Sequence, residues 1–392
     1  MKKKIKKICF CVLSRANYGS IKSLMIDVKK NKKFNFQLVV GASALSDKYG
    51  KCVDQIKKDG FKVDYTVEMN VSDDTPSSMV QSVGIALLKL PEIFEKIKPD
   101  LVFIIGDRYE VMSAAISASY MNIPLAHTMG GEVTGTIDES IRHSITKLAH
   151  LHFVSNADSY KRVLKLGELK KNVFNVGCPR IDIVKREITK KYNLKKLKKF
   201  INSNGVGDQI DLDKKFIILS QHPVTTEYGK AREQINETIL AIKKLNMQTI
   251  ILWPNADAGN EEISRSFRLL REENKLNLKK VRFFKNIPHT EYFNLLKICS
   301  CIIGNSSSSI REGAFIGVPA VNIGTRQNKR LKSLNVIDVR NNSKDIKEAT
   351  IAQIKKGRYK SSTIYGNGNA SSKIIKILEK IKKIDVQKTI SF

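Results

Sequence analysis

LVFIIGDRYE, Leu101–Glu110, is the stretch that decides how this chain reads. Its five consecutive apolar residues are too few for a helix and do not alternate with polar ones, which is the pattern of a strand buried inside a parallel sheet. Gly106-Asp107-Arg108 then falls where that strand ends, and in an open α/β sheet ligands sit beyond strand ends. Working outward, Ile8–Leu13, Phe36–Val40, Ile123–Ala126 and Phe153–Ser155 repeat the short apolar run, separated by helical stretches such as Ser77–Ile97. Alternation of this kind predicts a doubly wound α/β domain over residues 1–180. A second series, Phe216–Ser220, Thr249–Trp253, Val281–Phe284, Cys301–Ile303 and Ala320–Ile323, predicts another over residues 181–370. The Lys-rich stretch from about Lys185 to Lys215 reads as the segment between them. Residues 371–392 hold a last helix, about Ser371–Ile384, which is expected to pack back on the first domain. The fold class expected is therefore α/β, two Rossmann-like domains facing each other across a cleft, with the cleft as the ligand site.

Composition narrows the function. The 392 residues are too many for one ordinary core, and 42% apolar content is that of a globular chain. No apolar run approaches the roughly 18 residues that span a bilayer. The run behind the basic Met1–Lys7 segment is too short for a secretory signal, so the expectation is a cytoplasmic protein without a membrane partner. Six cysteines do not make a disulfide framework in so long a chain, and the pairs Cys9/Cys11 and Cys299/Cys301 sit in or beside strand-like runs, where packing is their expected role. His143, His150 and His152 lack the Cys or carboxylate spacing of a zinc site, so no metal is expected. The net charge of +31 raises nucleic-acid binding as a competing class. Its lysine runs lie at the N-terminus, at a helix end and between domains without interleaved aromatics, which reads as solvated surface and no nucleic-acid partner.

The candidate site gathers at strand ends. HTMGGEVTGTIDESIRHSITKLAHLH, His127–His152, packs a Gly-Gly turn, carboxylates, an Arg and several His into a few helical turns. Asp107, Glu132, Asp138 and Arg142 are read as one constellation, with an N-cap as the plainer role for Asp138. Gly304-Asn305-Ser306-Ser307-Ser308-Ser309 follows a strand and precedes a helical stretch. Amides and hydroxyls at a helix N-terminus suit a phosphate, with Ser306 and Ser307 as candidates and an ordinary Ser cap as the alternative. Glu312 reads as a partner for sugar hydroxyls or for a surface Lys. His222 follows the strand Phe216–Ser220 and can donate to a phosphate oxygen or be a satisfied loop residue. Arg15 and Arg326 follow strands and suit phosphate. This division, phosphate contacts in the second domain and carboxylates in the first, predicts chemistry on a group attached to a nucleoside diphosphate.

At these residues the chain resembles the hydrolysing UDP-N-acetylglucosamine 2-epimerases, which start sialic-acid-type sugar synthesis. SRANYG, GDRYE, GGEVTGTIDESIRHSITKLAH, QHPVTT, PNADAG, GNSSSSIRE, GTRQ and YGNGNA carry the likeness, almost from end to end. The resemblance implies a GT-B type fold with a UDP-sugar substrate and no cofactor, in a homodimer or homotetramer. It implies anti-elimination of UDP to a 2-acetamidoglucal and then hydration with inversion at C2, giving N-acetylmannosamine from UDP-N-acetylglucosamine. Arg15, Arg108, His222, Ser306, Ser307 and Arg326 match nucleotide or phosphate positions, and Asn255 and Glu312 match uridine- and ribose-side positions. Asp107, Asp138 and Arg142 match the sugar side. The catalytic set is then Asp107, Glu132, Asp138, Arg142 and His222.

Met129 stands where many members carry a Glu regarded as catalytic, so either Glu132 or Asp138 takes that role or the sugar pocket has changed. A less polar wall suits a 6-deoxy sugar, making UDP-N,N′-diacetylbacillosamine, on the way to legionaminic acid, the alternative to the favoured UDP-N-acetylglucosamine. Asn17 and Ser20 also depart from the acidic and Lys residues of many relatives. A GT-B glycosyltransferase, which needs an acceptor, and a non-hydrolysing 2-epimerase, which returns a UDP-sugar, are the neighbouring enzyme readings.

Overall fold

The computed structural model describes residues 6–71, 73–277 and 281–391, so Lys2, Lys3 and Lys4 of the N-terminal basic run lie outside the described residues. The chain divides into two compact units. Unit 1 holds the described residues of Met1–Glu132, Ile137–Lys185 and Ile364–Phe392, and unit 2 holds Val133–Thr136 and Arg186–Thr363.

Unit 1 contains β1 (Lys7–Val12), β2 (Asn35–Gly41), β3 (Tyr65–Val67), β4 (Leu101–Ile105), β5 (Leu125–Thr128), β6 (Leu151–Val154) and β7 (Val173–Asn175). Their order is β3-β2-β1-β4-β5-β6-β7, and every neighbouring pair is parallel. The chain builds outward from β1 to one side and then returns to lay β4 on the other. The switch point therefore lies beyond the C-terminal ends of β1 and β4, the position of Asp107.

Period-two alternation gives each face of this sheet its own core. One face carries a ladder of rings: Phe36, Phe10, Phe103, Phe153 and Phe174 meet in sequence at centroid separations of 5.5, 5.0, 5.9 and 5.6 Å. Such pairs add about 0.5–1.5 kcal/mol each beyond their burial. The opposite face buries Cys9, Cys11, Leu13, Val102 and Ile104 with Leu90 and Phe94 of the helix Pro76–Ile97 and Val111 and Ala114 of the helix Tyr109–Tyr120. Cys9 and Cys11 are thus packing residues, as their spacing suggested, and all six cysteines are buried and unbridged.

Unit 2 contains β8 (Val206–Gly207), β9 (Phe216–Ser220), β10 (Gln248–Leu252), β11 (Val281–Phe284), β12 (Cys301–Gly304), β13 (Ala320–Ile323) and β14 (Val336–Val339), in the order β14-β13-β12-β9-β10-β11-β8. All pairs are parallel except β11 with β8. Here β9 is the starting strand and β12 its neighbour from the second half, so the switch point lies beyond Ser220 and Gly304. The fold class expected from sequence, two doubly wound α/β units, is the one observed.

The structure adds two features to the reading of the sequence. β3, β7, β8 and β14 were not expected; each has four residues or fewer and lies at a sheet edge, where the buried apolar run that marks a central strand is not required. The Lys-rich segment between the two series has structure of its own. It forms the helix Leu194–Ser203, which buries Leu197 and Ile201 while Lys195, Lys196 and Lys199 stay exposed, so its lysines are the wet face of an amphipathic helix.

Candidate active site

The site in unit 1 is built on the helix Asp138–Leu148. Arg142, Ile145 and Thr146 share one helical face, and all three are buried. A fully buried Arg on the apolar stripe requires anionic or hydrogen-bonding partners. Arg142 Nε donates to Asp107 Oδ2 at 2.9 Å, Nη2 donates to the same oxygen, and Nη1 donates to the Glu132 carbonyl and to Glu139 Oε2, both at 2.8 Å. Burial opposes the guanidinium charge, but the carboxylates of Asp107, Glu132 and Asp138 outweigh it and hold Arg142 above its ordinary value. The structure thus brings together Asp107, Glu132, Asp138 and Arg142, the four residues that the sequence groups in the first domain. Asp138 is the first residue of the helix rather than its cap, which is Ile137, and with Glu139 it places negative charge on the positive end of the helix dipole.

The loops that hold these groups follow from their glycines. Gly106 has φ +75°, which turns β4 into Asp107. A Cβ on Gly130 would stand 2.9 Å from His127 Nδ1, and one on Gly131 would stand 2.4 Å from the Ser159 carbonyl oxygen. The Gly-Gly turn is therefore a packing requirement. Met129, itself at φ +64° and buried, lays its methyl against Gly106, next to Asp107.

Arg108 is buried with its Nε and Nη2 held by Glu110, whose side chain is also fully buried, a local pairing that the sequence reading did not include. Arg15 opens the helix Arg15–Lys30, half-buried, after Ser14 has capped it by accepting from the Asn17 amide. The Asn17 side chain accepts from the Leu13 amide at 3.2 Å and donates to the Ile105 carbonyl at 2.8 Å, joining the ends of β1 and β4.

In unit 2, Asn305 organises the strand ends. Its Oδ1 accepts from the His222 amide at 2.7 Å and its Nδ2 donates to the His222 carbonyl at 2.8 Å. Its own carbonyl accepts from Gln327 Nε2 at 2.8 Å and Arg326 Nη1 at 3.3 Å. Gly304 makes this approach possible, since a Cβ there would fall 2.2 Å from the Ser220 carbonyl oxygen. His222 Nδ1 accepts from the Asn255 amide at 3.1 Å, which leaves the proton of a neutral ring on Nε2. Arg326 Nη2 lies 3.8 Å from Asp257 Oδ2, while its Nε is buried without a protein hydrogen-bond partner.

The serine run departs from expectation. The helix that follows is Glu312–Ile316, only five residues, with Arg311 at its cap position, so the serines lie in the turn before it. Ser308 and Ser309 are buried in structural bonds, to Tyr292 Oη at 2.7 Å and to the Ser306 carbonyl at 2.8 Å. Ser306 and Ser307 remain half-buried, and the Ser306 amide is taken by the Ser220 carbonyl. The run therefore offers turn hydroxyls beside Asn305, not a helix N-terminus. Glu312 is buried at the start of that short helix.

Sequence reasoning missed Glu110, Glu139, His127 and Asn305 as organising residues. Asn305 carried a signal: an amide side chain directly after Gly at a strand end can donate and accept at once. Among the described residues, no group of three or more His, Cys, Asp or Glu is placed to hold a metal ion, and no helix is long and apolar enough to cross a membrane.

Comparison with known proteins places this geometry. The family model described as UDP-N-acetylglucosamine 2-epimerase matches residues 26–379. The hydrolysing UDP-N,N′-diacetylbacillosamine 2-epimerase of Legionella pneumophila is 34% identical over 379 residues, covering 96% of each chain. The GDP/UDP-N,N′-diacetylbacillosamine 2-epimerase (hydrolysing) of Campylobacter jejuni is 34% identical over 344 residues, covering 87% of this chain and 86% of its own. Among solved structures, UDP-GlcNAc 2-epimerase from Neisseria meningitidis bound to UDP-GlcNAc aligns with a TM-score of 0.79 at 18% identity, over 96% of this chain and all of that one, a likeness of fold.

Proposed function

The chain belongs to the UDP-N-acetylglucosamine 2-epimerase family, and on that footing we propose that it catalyses the hydrolysing form of the reaction on UDP-N,N′-diacetylbacillosamine. The products are UDP and 2,4-diacetamido-2,4,6-trideoxymannose. A carboxylate from the Asp107, Glu132 and Asp138 group takes the C2 proton, the electron pair forms the C1–C2 double bond, and the C1–oxygen bond breaks to release UDP. Arg326, with His222, Ser306 and Ser307, faces the charge gathering on the departing diphosphate, and its unpartnered Nε supports that role. Water then adds its oxygen at C1 and a proton at C2, on the face opposite to the one deprotonated.

Met129 carries the choice of sugar. Its methyl lies against Gly106 beside Asp107, which sets a thioether wall at the position where the family resemblance implies a carboxylate. Such a wall favours a C6 methyl and offers no hydrogen-bond acceptor of carboxylate strength to a 6-hydroxyl. The names of the two relatives at 34% identity support the same sugar. UDP-N-acetylglucosamine, the substrate favoured by the sequence reading, stays the second reading through the description of the family model.

Proton NMR in deuterated water, with each UDP-sugar in parallel and no added metal, tests both levels. The expected result is a free manno-configured sugar deuterated at C2 with one UDP released per sugar, faster from the bacillosamine substrate. Faster turnover of UDP-N-acetylglucosamine overturns the sugar assignment. UDP release that requires an acceptor sugar overturns the epimerase reading in favour of a transferase.

A further inference from the structure

We propose that His127 is a positioning residue for the reacting carboxylates, a buried imidazole that ties the Gly106-Asp107 turn to β5 and packs beside the Gly130-Gly131 turn. The proposal rests on the epimerase reading above. His127 lies on β5, in register with Ile104 of β4 and His152 of β6, and is fully buried. Its Nε2 is 2.8 Å from the Gly106 carbonyl, and a carbonyl only accepts, so the ring proton sits on Nε2. Nδ1 is then the bare nitrogen, and it faces the Gly-Gly turn, where a Cβ on Gly130 would intrude to 2.9 Å. Thr146 Oγ1 lies 3.4 Å from Nδ1 and donates to the Arg142 carbonyl at 3.0 Å.

One ring therefore bonds one loop of the constellation and lies beside the other, and its neighbour Thr146 bonds the backbone of the residue that neutralises the carboxylates. The two tethers act on adjacent residues. Arg142 holds the Asp107 carboxylate, and His127 holds the carbonyl of Gly106, a left-handed glycine whose amide is bonded to the Thr128 carbonyl at 3.3 Å. Since a displacement of about 1 Å at a reacting group can cost about 10²-fold in rate, a hydrogen bond that fixes this turn belongs to catalysis without touching substrate.

The surroundings favour the neutral ring. Burial pushes the imidazole down to about 4; the Gly106 carbonyl and Asp107 pull it upward, and His152 and Arg142 pull it further down. His127 is thus held neutral to well below its ordinary value, with the Nε2–H left on the Gly106 carbonyl.

Three variants test the proposal: His127→Gln, whose side-chain N–H reaches about as far as Nε2; His127→Asn, whose N–H falls short of Gly106; and His127→Phe, which fills the space without a donor. Turnover, KM, the pH–rate profile, UDP affinity by calorimetry and thermal melting are read for each. His127→Phe and His127→Asn should lose at least about tenfold in kcat with UDP affinity within about twofold of wild type, and His127→Gln should recover most of the rate with both limbs of the pH profile in place. A His127→Phe protein that turns over at the wild-type rate overturns the proposal, as does a His127→Gln protein that loses a limb of the profile. If His127→Phe does not fold, equal rates for the Gln and Asn variants overturn it. Wild-type protein that forms no C2-inverted sugar would sink the epimerase reading itself, a result separate from any ranking of the variants.

Discussion

The two units share a doubly wound parallel core and place opposite charge at its switch point. In each, an Asn side chain fastens the switch point: Asn17 joins the Leu13 amide to the Ile105 carbonyl, and Asn305 clips both the amide and the carbonyl of His222. Beyond that common device they diverge. Unit 1 surrounds one buried guanidinium with the carboxylates of Asp107, Glu132, Asp138 and Glu139. Unit 2 presents hydroxyls, amides, an imidazole and Arg326, with Asp257 as the carboxylate that faces it. Topology chooses where a site forms, and the residues just past the strand ends choose its charge.

The largest expected effect breaks unit 1 while sparing unit 2. Arg142→Met leaves the hydrophobic stripe of its helix intact but removes the counter-charge for Asp107. Removing one partner of a buried ion pair typically costs about 3–5 kcal/mol, so denaturant unfolding should show a loss of that size and turnover should vanish. UDP affinity, a property assigned to unit 2, should stay within about threefold in the folded fraction. A loss of UDP affinity equal to the loss of turnover would mean that the two sites do not divide the work as proposed.

That division was only partly legible in the sequence. The central strands were, because a strand buried on both faces must be an unbroken apolar run, and LVFII or FIILS allows little else. Edge strands such as β14, half-exposed and carrying Asp338, obey no such constraint. Asp107 and Arg142 were named from their place at a strand end and in a dense polar cluster, but their direct bond spans 35 residues and no local spacing encodes it. Arg108 shows the converse. Glu110, two residues on, supplies its partner, and a local pairing of this kind reads in sequence like any other surface charge. His127 could not be separated from its neighbouring histidines by sequence, because its role depends on a carbonyl that strand pairing brings to it.

The next effect belongs to unit 2. Arg326→Ala removes the guanidinium that keeps an unpartnered buried N–H and should weaken UDP by roughly 1.5–3 kcal/mol, the range for hydrogen bonds to charged groups, or about 10–100-fold in Kd. Asp107→Asn should leave that affinity nearly unchanged while lowering kcat by about 10²-fold or more, the usual contribution of a positioned acid or base. Calorimetry with UDP and steady-state kinetics on the two variants read the pair. Matching losses in both assays would erase the contrast between the units.

The smallest effect sharpens the contrast through acid stability. In unit 1, Glu168 is pulled down to about 2 although burial alone would raise it, because His152, Lys388 and Lys147 all hydrogen-bond its carboxylate. A carboxylate whose folded value lies below its unfolded one stabilises the fold above about pH 4.5, and that contribution disappears as the pH falls toward 2. His127 acts with the same sign at higher pH. Buried and neutral with a value near 4, it lets the unfolded chain bind the proton first below about 6.5, so stability falls from there downward. Unit 1 should therefore open first on acidification. The chain's single tryptophan makes this measurable: Trp253 sits in unit 2 against Phe267 and Phe283, at 5.7 and 6.4 Å, so its fluorescence reports that unit, while circular dichroism reports both. Far-UV signal should decline at a higher pH than the tryptophan signal. Glu168→Gln removes the lower part of the linkage, and since Lys147 and Lys388 are partly exposed to solvent screening, the change should be about 1 kcal/mol. Coincident transitions by the two probes, unaltered by Glu168→Gln, would show that the units unfold as one and that the ionic network of unit 1 does not set its acid limit.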